Sequence, residues 1–142
     1  MILIVLMFNF PIRVGIVVFI FFAALIEEVV KSVGIYTVFS RKMSPVDTRT
    51  AIKAGIYSGT GFFIGEKLIL LAVIAGIAGS VFGSAMGIGL LVFPFALHVT
   101  GAVISALGIR YLGTGKYFIS VLLATIVHAG YNLYLVRGVL FA

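Results

Sequence analysis

Membrane-length apolar runs, interrupted at depth by a few ionisable side chains, constrain this chain more than any other feature. Residues 11–39 carry only four charges, Arg13, Glu27, Glu28 and Lys31, and a helix of that length crosses a ~30 Å hydrocarbon core even when tilted. Three further runs, at about 49–77, 85–109 and 117–137, repeat the pattern. The composition agrees. The chain is 63% hydrophobic and 10% charged, where soluble domains average about 45–50% and about 25%. The expected fold is all-α: one domain over residues 1–142, a polytopic membrane helix bundle of about four spans with a polar site at mid-membrane depth. A second partition lets residues 2–22 cross and places the acidic pair on a separate short helix.

The loops carry the orientation signal. Residues 40–53 contain Arg41, Lys42, Arg49 and Lys53, and residues 110–116 contain Arg110 and Lys116, whereas the 76–84 turn has no charge. Four spans put both basic loops on one side, which the positive-inside rule makes cytoplasmic in a multi-pass cell-membrane protein. This placement explains most of the net charge of +6 and excludes nucleic acid as the partner it implies; lipid is the expected surroundings. Cysteine is absent, which excludes disulfide and thiol chemistry. The first residues lack a basic stretch and a small-residue cleavage site, so no removable signal peptide is expected. Asp47, after Ser44-Pro45-Val46, can cap the second helix. The spacings Gly55/Gly59 and Gly61/Gly65 allow close helix approach in lipid.

An ionisable residue at the bilayer centre costs about 2.5–3.5 kcal/mol on insertion scales and is a functional candidate by default. Four stations qualify: the pair Glu27-Glu28, then Glu66, His98 and His128. At a rise of 1.5 Å per residue all four fall roughly 16–25 Å from the cytoplasmic edge. Four separate helices bring ionisable groups to one level, which scattered structural polar residues have no reason to do.

Each station also has a plainer reading. Glu27 and Lys31 at i, i+4 can form a compensated pair, but this leaves the second carboxylate without a partner. A Glu66–Lys67 salt bridge is disfavoured because neighbours at i, i+1 point apart. His98, on a face continued by the small residues Gly101, Ala102 and Ser105, and His128, with Thr125 and Asn132 on its face, can each serve as interhelical polar glue. An ordered His with an amide is equally what holds a metal or an oxyanion.

Glu-Glu-x-x-Lys, Gly-x-Gly-Phe-x-x-x-Glu, His followed by Thr-Gly, and His-x-x-x-Asn, in this order on four helices, resemble the PrsW intramembrane proteases, relatives of the CAAX prenyl protease and ABI superfamily. The likeness spans residues 23 to about 135. Lys67 stands where that family usually has Asn, and the chain is shorter than typical members. The resemblance implies an endopeptidase acting on a membrane-protein or lipidated-peptide substrate, anti-sigma-factor-like or prenylated-protein-like. It assigns the active site to Glu27, Glu28, Glu66, His98 and His128, with Asn132 in support.

Two His and a Glu form a recognised catalytic zinc set with a fourth position for water, and a second Glu serves as general base. On this scheme His98, His128 and Glu66 or Glu27 are the ligands and Glu28 the base. A metal-free scheme stays open, in which a Glu and a His activate water and His128 with Asn132 binds the oxyanion. So does a different class: mid-membrane carboxylates and histidines are also proton-relay parts, which makes a small proton- or cation-coupled transporter the rival. No convincing internal repeat relates residues 11–77 to 85–137, as inverted-repeat transporters would require. Oligomeric state has no signature in the sequence.

Overall fold

The computed structural model describes residues 12–42, 44–73 and 91–140. They form four helices: α1 (Ile12–Ser40), α2 (Thr48–Val73), α3 (Val92–Leu112) and α4 (Tyr117–Leu140), with a single 3-10 turn, Thr114–Lys116, between the last two. Among the described residues there is no strand. The chain is an all-helical bundle, and three stretches, Thr48–Val73, Val92–Leu112 and Thr114–Gly138, are long and apolar enough to cross a membrane. α1 is the longest helix at 29 residues, about 43 Å at 1.5 Å per residue. Its charges are clustered: Arg13 lies in the first turn, and Glu27, Glu28 and Lys31 fall within five residues near mid-helix, whereas the four charges of α2, Arg49, Lys53, Glu66 and Lys67, are spread along it. Because α1 is continuous from Ile12 to Ser40, the partition with a separate short helix for the acidic pair does not hold.

Helix ends fall close to the expected ones, and the differences have local causes. Asp47 is the cap of α2: its carboxylate accepts the Thr50 amide at 2.9 Å and the Thr50 hydroxyl at 2.6 Å, so the helix begins at Thr48 rather than Arg49. These two bonds hold the Asp47 carboxyl below its usual range. α3 runs one turn past the expected end at 109, through Arg110 to Leu112. A cation in the last turn is favourable to the helix dipole, and the break waits for Gly113, at φ +83°, where a side chain would be strained. The expected starts and ends at 74–91 and the 76–84 turn lie outside the described residues, apart from Leu91 just ahead of α3.

α3 is the centre of the bundle. It packs against α2, α4 and α1, while α4 also packs on α1 and α1 touches α2 least. Its buried face reads His98, Gly101, Ala102, Ser105, Ala106, Ile109: beyond the histidine, small residues at helical spacing that let three neighbours come close. The bundle is polar inside and apolar outside. Glu28, Lys31, Ser32, His98, Ser105, Ser120, Thr125 and His128 are buried, while large apolar side chains on every helix face outward. Lipid removes the reason to hide apolar surface and leaves the reason to hide polar groups. An apolar cluster of Ile35, Phe39, Val46, Ala51, Ala106 and Ile109 closes the loop end.

The two glycine spacings separate. A methyl group on Gly59 would lie 2.6 Å from the His98 carbonyl oxygen and from Val99 Cα, and one on Gly55 2.6 Å from Val103 Cα; at Gly61 and Gly65 it would meet nothing within 4 Å. Only the first spacing builds the α2–α3 contact. Gly59→Ala should therefore destabilise the protein by about 1–3 kcal/mol, the usual effect of overpacking. Gly61→Ala should be neutral or stabilising by up to about 1 kcal/mol through helix propensity. Thermal unfolding in detergent measures both, and equal midpoints for the two variants would contradict the packing described.

Candidate metal centre

The backbone contact that requires Gly59 also fixes His98, because its carbonyl sits against α2. From there the cluster assembles on all four helices. Glu28 on α1 is wholly buried. Its Oε1 accepts from the Lys31 ammonium and from His128 Nδ1 at 2.8 Å. The carboxylate has room because α3 presents Gly101: a Cβ there would lie 2.8 Å from both Glu28 oxygens. Lys31 also approaches His98 Nδ1 at 3.3 Å and stands 5.2 Å over the Phe62 ring. The other nitrogen of His98, Nε2, is 2.8 Å from Glu66 Oε2. This is a close contact rather than an aligned hydrogen bond, and Glu66 Oε2 has no hydrogen-bond partner. Glu66 Oε1 accepts from Lys67 at 2.9 Å.

These partners dictate the tautomers. A carboxylate only accepts, so His128 carries its proton on Nδ1 and turns the Nε2 lone pair the other way. An ammonium only donates, so His98 accepts at Nδ1 and carries its proton on Nε2, facing Glu66. Between the two rings lies Glu27. Its Oε2 is 3.6 Å from His128 Nε2 and 3.9 Å from His98 Nδ1. One donor atom from each of Glu27, His98 and His128 lies within 4.8 Å of the others. A tetrahedral ion with bonds of about 2.0–2.2 Å needs its ligands about 3.3–3.6 Å apart. The residues present therefore fit a metal ion in donor type, and in spacing the cluster is somewhat wider than a closed tetrahedral set, with the Glu27–His128 gap of 3.6 Å at its edge; each imidazole has a carboxylate behind it, the usual outer partner of a metal-bound histidine.

Charge counting isolates the same residue. Glu28 is compensated by Lys31 and Glu66 by Lys67, which leaves Glu27 facing two imidazoles with no ammonium or guanidinium beside it among the described residues. Its side chain is 32% exposed, so the centre is accessible from one side, as is Glu66 at 40%. Glu28 at 0% is not.

No family model, curated protein or solved structure matches this chain. The functional reading rests on the geometry.

Of the residues singled out in the sequence, Glu27, Glu28, Glu66, His98 and His128 come together, with Lys31 among them. Asn132 lies half-buried one turn beyond His128, and among the described residues no hydrogen bond joins it to the cluster. Thr125 closes on its own helix, donating to the Val121 carbonyl at 2.9 Å. Two expected pairings are corrected. Lys31 pairs with Glu28 at i, i+3, not with Glu27 at i, i+4, because the Gly101 gap draws Glu28 inward to the same face. Glu66 and Lys67 do pair, since a four-carbon lysine stem reaches back over Phe63, with its ammonium 5.3 Å from that ring. Three contributors were not recognised in the sequence: Gly101 as the space for a carboxylate, Ser58, whose hydroxyl donates to the Lys31 carbonyl at 2.5 Å, and Tyr117, whose hydroxyl meets that of Ser32 at 2.9 Å. For Gly101 the signal was its position one turn after His98 on the small-residue face.

Proposed function

We propose that this protein is a membrane-embedded endopeptidase with a metal-assisted mechanism, in which Glu27, His98 and His128 hold a divalent ion, zinc by donor type. The observation that carries the reading is the Glu27 carboxylate, without an ammonium or guanidinium partner among the described residues, set 3.6 Å from the His128 Nε2 lone pair and 3.9 Å from His98 Nδ1, a nitrogen that the Lys31 ammonium, 3.3 Å away, must release to an ion. The resemblance of the motifs to PrsW and CAAX-type proteases supports peptide hydrolysis as the reaction and a membrane-protein or lipidated peptide as the substrate.

Bound there, a metal would supply Lewis acidity and lower the pKa of a coordinated water toward ~7. The remaining residues have roles set by their access. Glu28, sealed behind His128, orients that ring and keeps its proton on Nδ1. Glu66, 40% exposed, keeps Oε2 closed against His98 and takes the proton from the attacking water through Oε1, which among the described residues only Lys67 engages, then returns it to the leaving amine, as a general base and then a general acid. Of the two carboxylate ligands expected from the sequence, Glu66 or Glu27, this reading takes Glu27, and it moves the role of base from Glu28 to Glu66 on access and contact. In this reading Asn132 has no part in the chemistry unless substrate draws it in.

The bundle is further proposed to span the membrane four times, with α1 included because Glu28 and Lys31 are buried and paired, Glu27 faces the two imidazoles and Arg13 stands in the first turn. Reporters fused at Lys42 and Gly113 should then read cytoplasmic and one at Gly79 external; Gly79 on the side of Lys42 would rule out four spans.

The test of function uses purified protein in liposomes with a panel of single-span peptide reporters. Cleavage that stops with chelator and returns with zinc is expected. Proton or cation flux without cleavage would favour the transporter instead, since a carboxylate between histidines also suits a proton relay.

A further inference from the structure

A second feature lies at the opposite end of the bundle. A cleft of about 250 Å³ opens where the loop after α1 meets the turn after α3. Arg110, on its wall, is twelve residues along α3 from His98, about 18 Å at 1.5 Å per residue, so the cleft is separate from the metal centre. Its floor is apolar, made by Phe39, Val46 and Ile109 of the buried cluster. The polar side chains that line it are two cations, Lys42 and Arg110, and two hydroxyls, Ser44 and Thr114; no carboxylate is among them. The acid nearest in sequence, Asp47, is engaged with Thr50.

Arg110 itself is incompletely satisfied. Its guanidinium carbon lies 4.2 Å from the centre of the Tyr111 ring, and its Nε is shut off from solvent with no hydrogen-bond partner. Buried polar groups are nearly always paired, and one that is not calls for an explanation. Guanidinium groups pair most strongly with carboxylate or phosphate. Sites for drug-sized ligands measure about 300–1,000 Å³, so this cleft suits a smaller group. Clusters of basic residues between helices at the cytoplasmic headgroup level are where anionic lipid heads bind.

We propose that this cleft binds a phosphate group, mono- or diester, carried by an anionic lipid headgroup or free in solution. Lys42 and Arg110 supply the charge, Ser44 and Thr114 the hydroxyl donors, and the apolar floor receives what is attached to a lipid phosphate. The site is independent of the protease reading.

The test is native mass spectrometry of the protein in a neutral detergent, with phosphatidylglycerol, phosphatidylcholine or inorganic phosphate added. Phosphatidylglycerol should bind in preference to phosphatidylcholine. The double variant Lys42→Gln/Arg110→Gln should lose at least about tenfold in occupancy, while Arg13→Gln, at the far end of α1, should change nothing. Lys42→Gln alone, at an exposed position, should lose several-fold and keeps the test valid should the double variant fail to fold. Displacement of the lipid by millimolar phosphate would identify a site open to the free anion, and retention would identify the lipid as ligand; either supports the proposal. Equal binding of the two lipids with no uptake of phosphate, or phosphatidylglycerol binding unchanged in both cleft variants, would overturn it.

Discussion

Glu27→Gln should strip the metal from the protein and abolish peptide hydrolysis while leaving the bundle folded. Among the described residues Glu27 holds no ammonium or guanidinium, and its carboxylate faces His98 and His128. An amide in its place is less costly to keep at this depth than an uncompensated carboxylate, so stability should hold or rise. Metal affinity should fall by more than the 10–100-fold typical of losing an outer partner. Glu28→Gln and Glu66→Gln should stay within that outer-partner range. Their activities should then diverge, with Glu66→Gln losing about 10²–10⁴-fold through the lost proton transfer. Affinity and cleavage measured on the three purified variants give this ranking. Should Glu66→Gln lose the ion while Glu27→Gln keeps it, the ligand would be Glu66. Should Glu28→Gln carry the larger loss of cleavage with metal retained, Glu28 would be the base despite its burial.

Lys31→Met is expected to be the most destabilising substitution in the centre. Its ammonium is the only cationic partner of Glu28 among the described residues, and both side chains are wholly buried. Removing one member of a buried pair leaves an unpaired charge in low dielectric and costs about 3–5 kcal/mol. Replacing both members is far milder, because two neutral groups of similar size need no counter-charge. Lys31→Met/Glu28→Gln should therefore recover most of the loss. Unfolding in detergent across the four proteins of this double-mutant cycle gives the coupling directly. A cycle showing simple additivity would mean that the pair contributes no mutual stabilisation.

The helix ends at 40, 48 and 117, the Asp47 cap and the convergence of Glu27, Glu28, Glu66, His98 and His128 were legible in the sequence to within a residue or a turn, because each depends on local chemistry or on depth counted along a helix; of the two glycine spacings, the sequence did not say which makes the contact. What was not legible is which way each side chain turns. Lys31 has carboxylates at both i−4 and i−3, and helical spacing permits either pairing. The choice of Glu28 is made by Gly101 on α3, some seventy residues away in sequence, which opens a gap only Glu28 fills. That one choice frees Glu27 and so favours it over Glu66, the two glutamates between which the sequence leaves the ligand open. Glu66 presents the same lesson at smaller scale. The rule that adjacent helical residues point apart describes Cβ directions, and a lysine stem is long enough to defeat it. The cleft at Arg110 was legible only as two basic loops on one side; their meeting across an apolar floor is a tertiary fact.

The central claim is that Glu27, His98 and His128 form one cation site. Zinc K-edge X-ray absorption on the zinc-loaded protein tests it most directly. About one zinc per chain is expected, with two imidazole nitrogens and carboxylate oxygen at about 2.0–2.2 Å, and a spectrum that loses one imidazole in each of His98→Ala and His128→Ala. An oxygen-only shell, or a spectrum unchanged by both histidine substitutions, would contradict it.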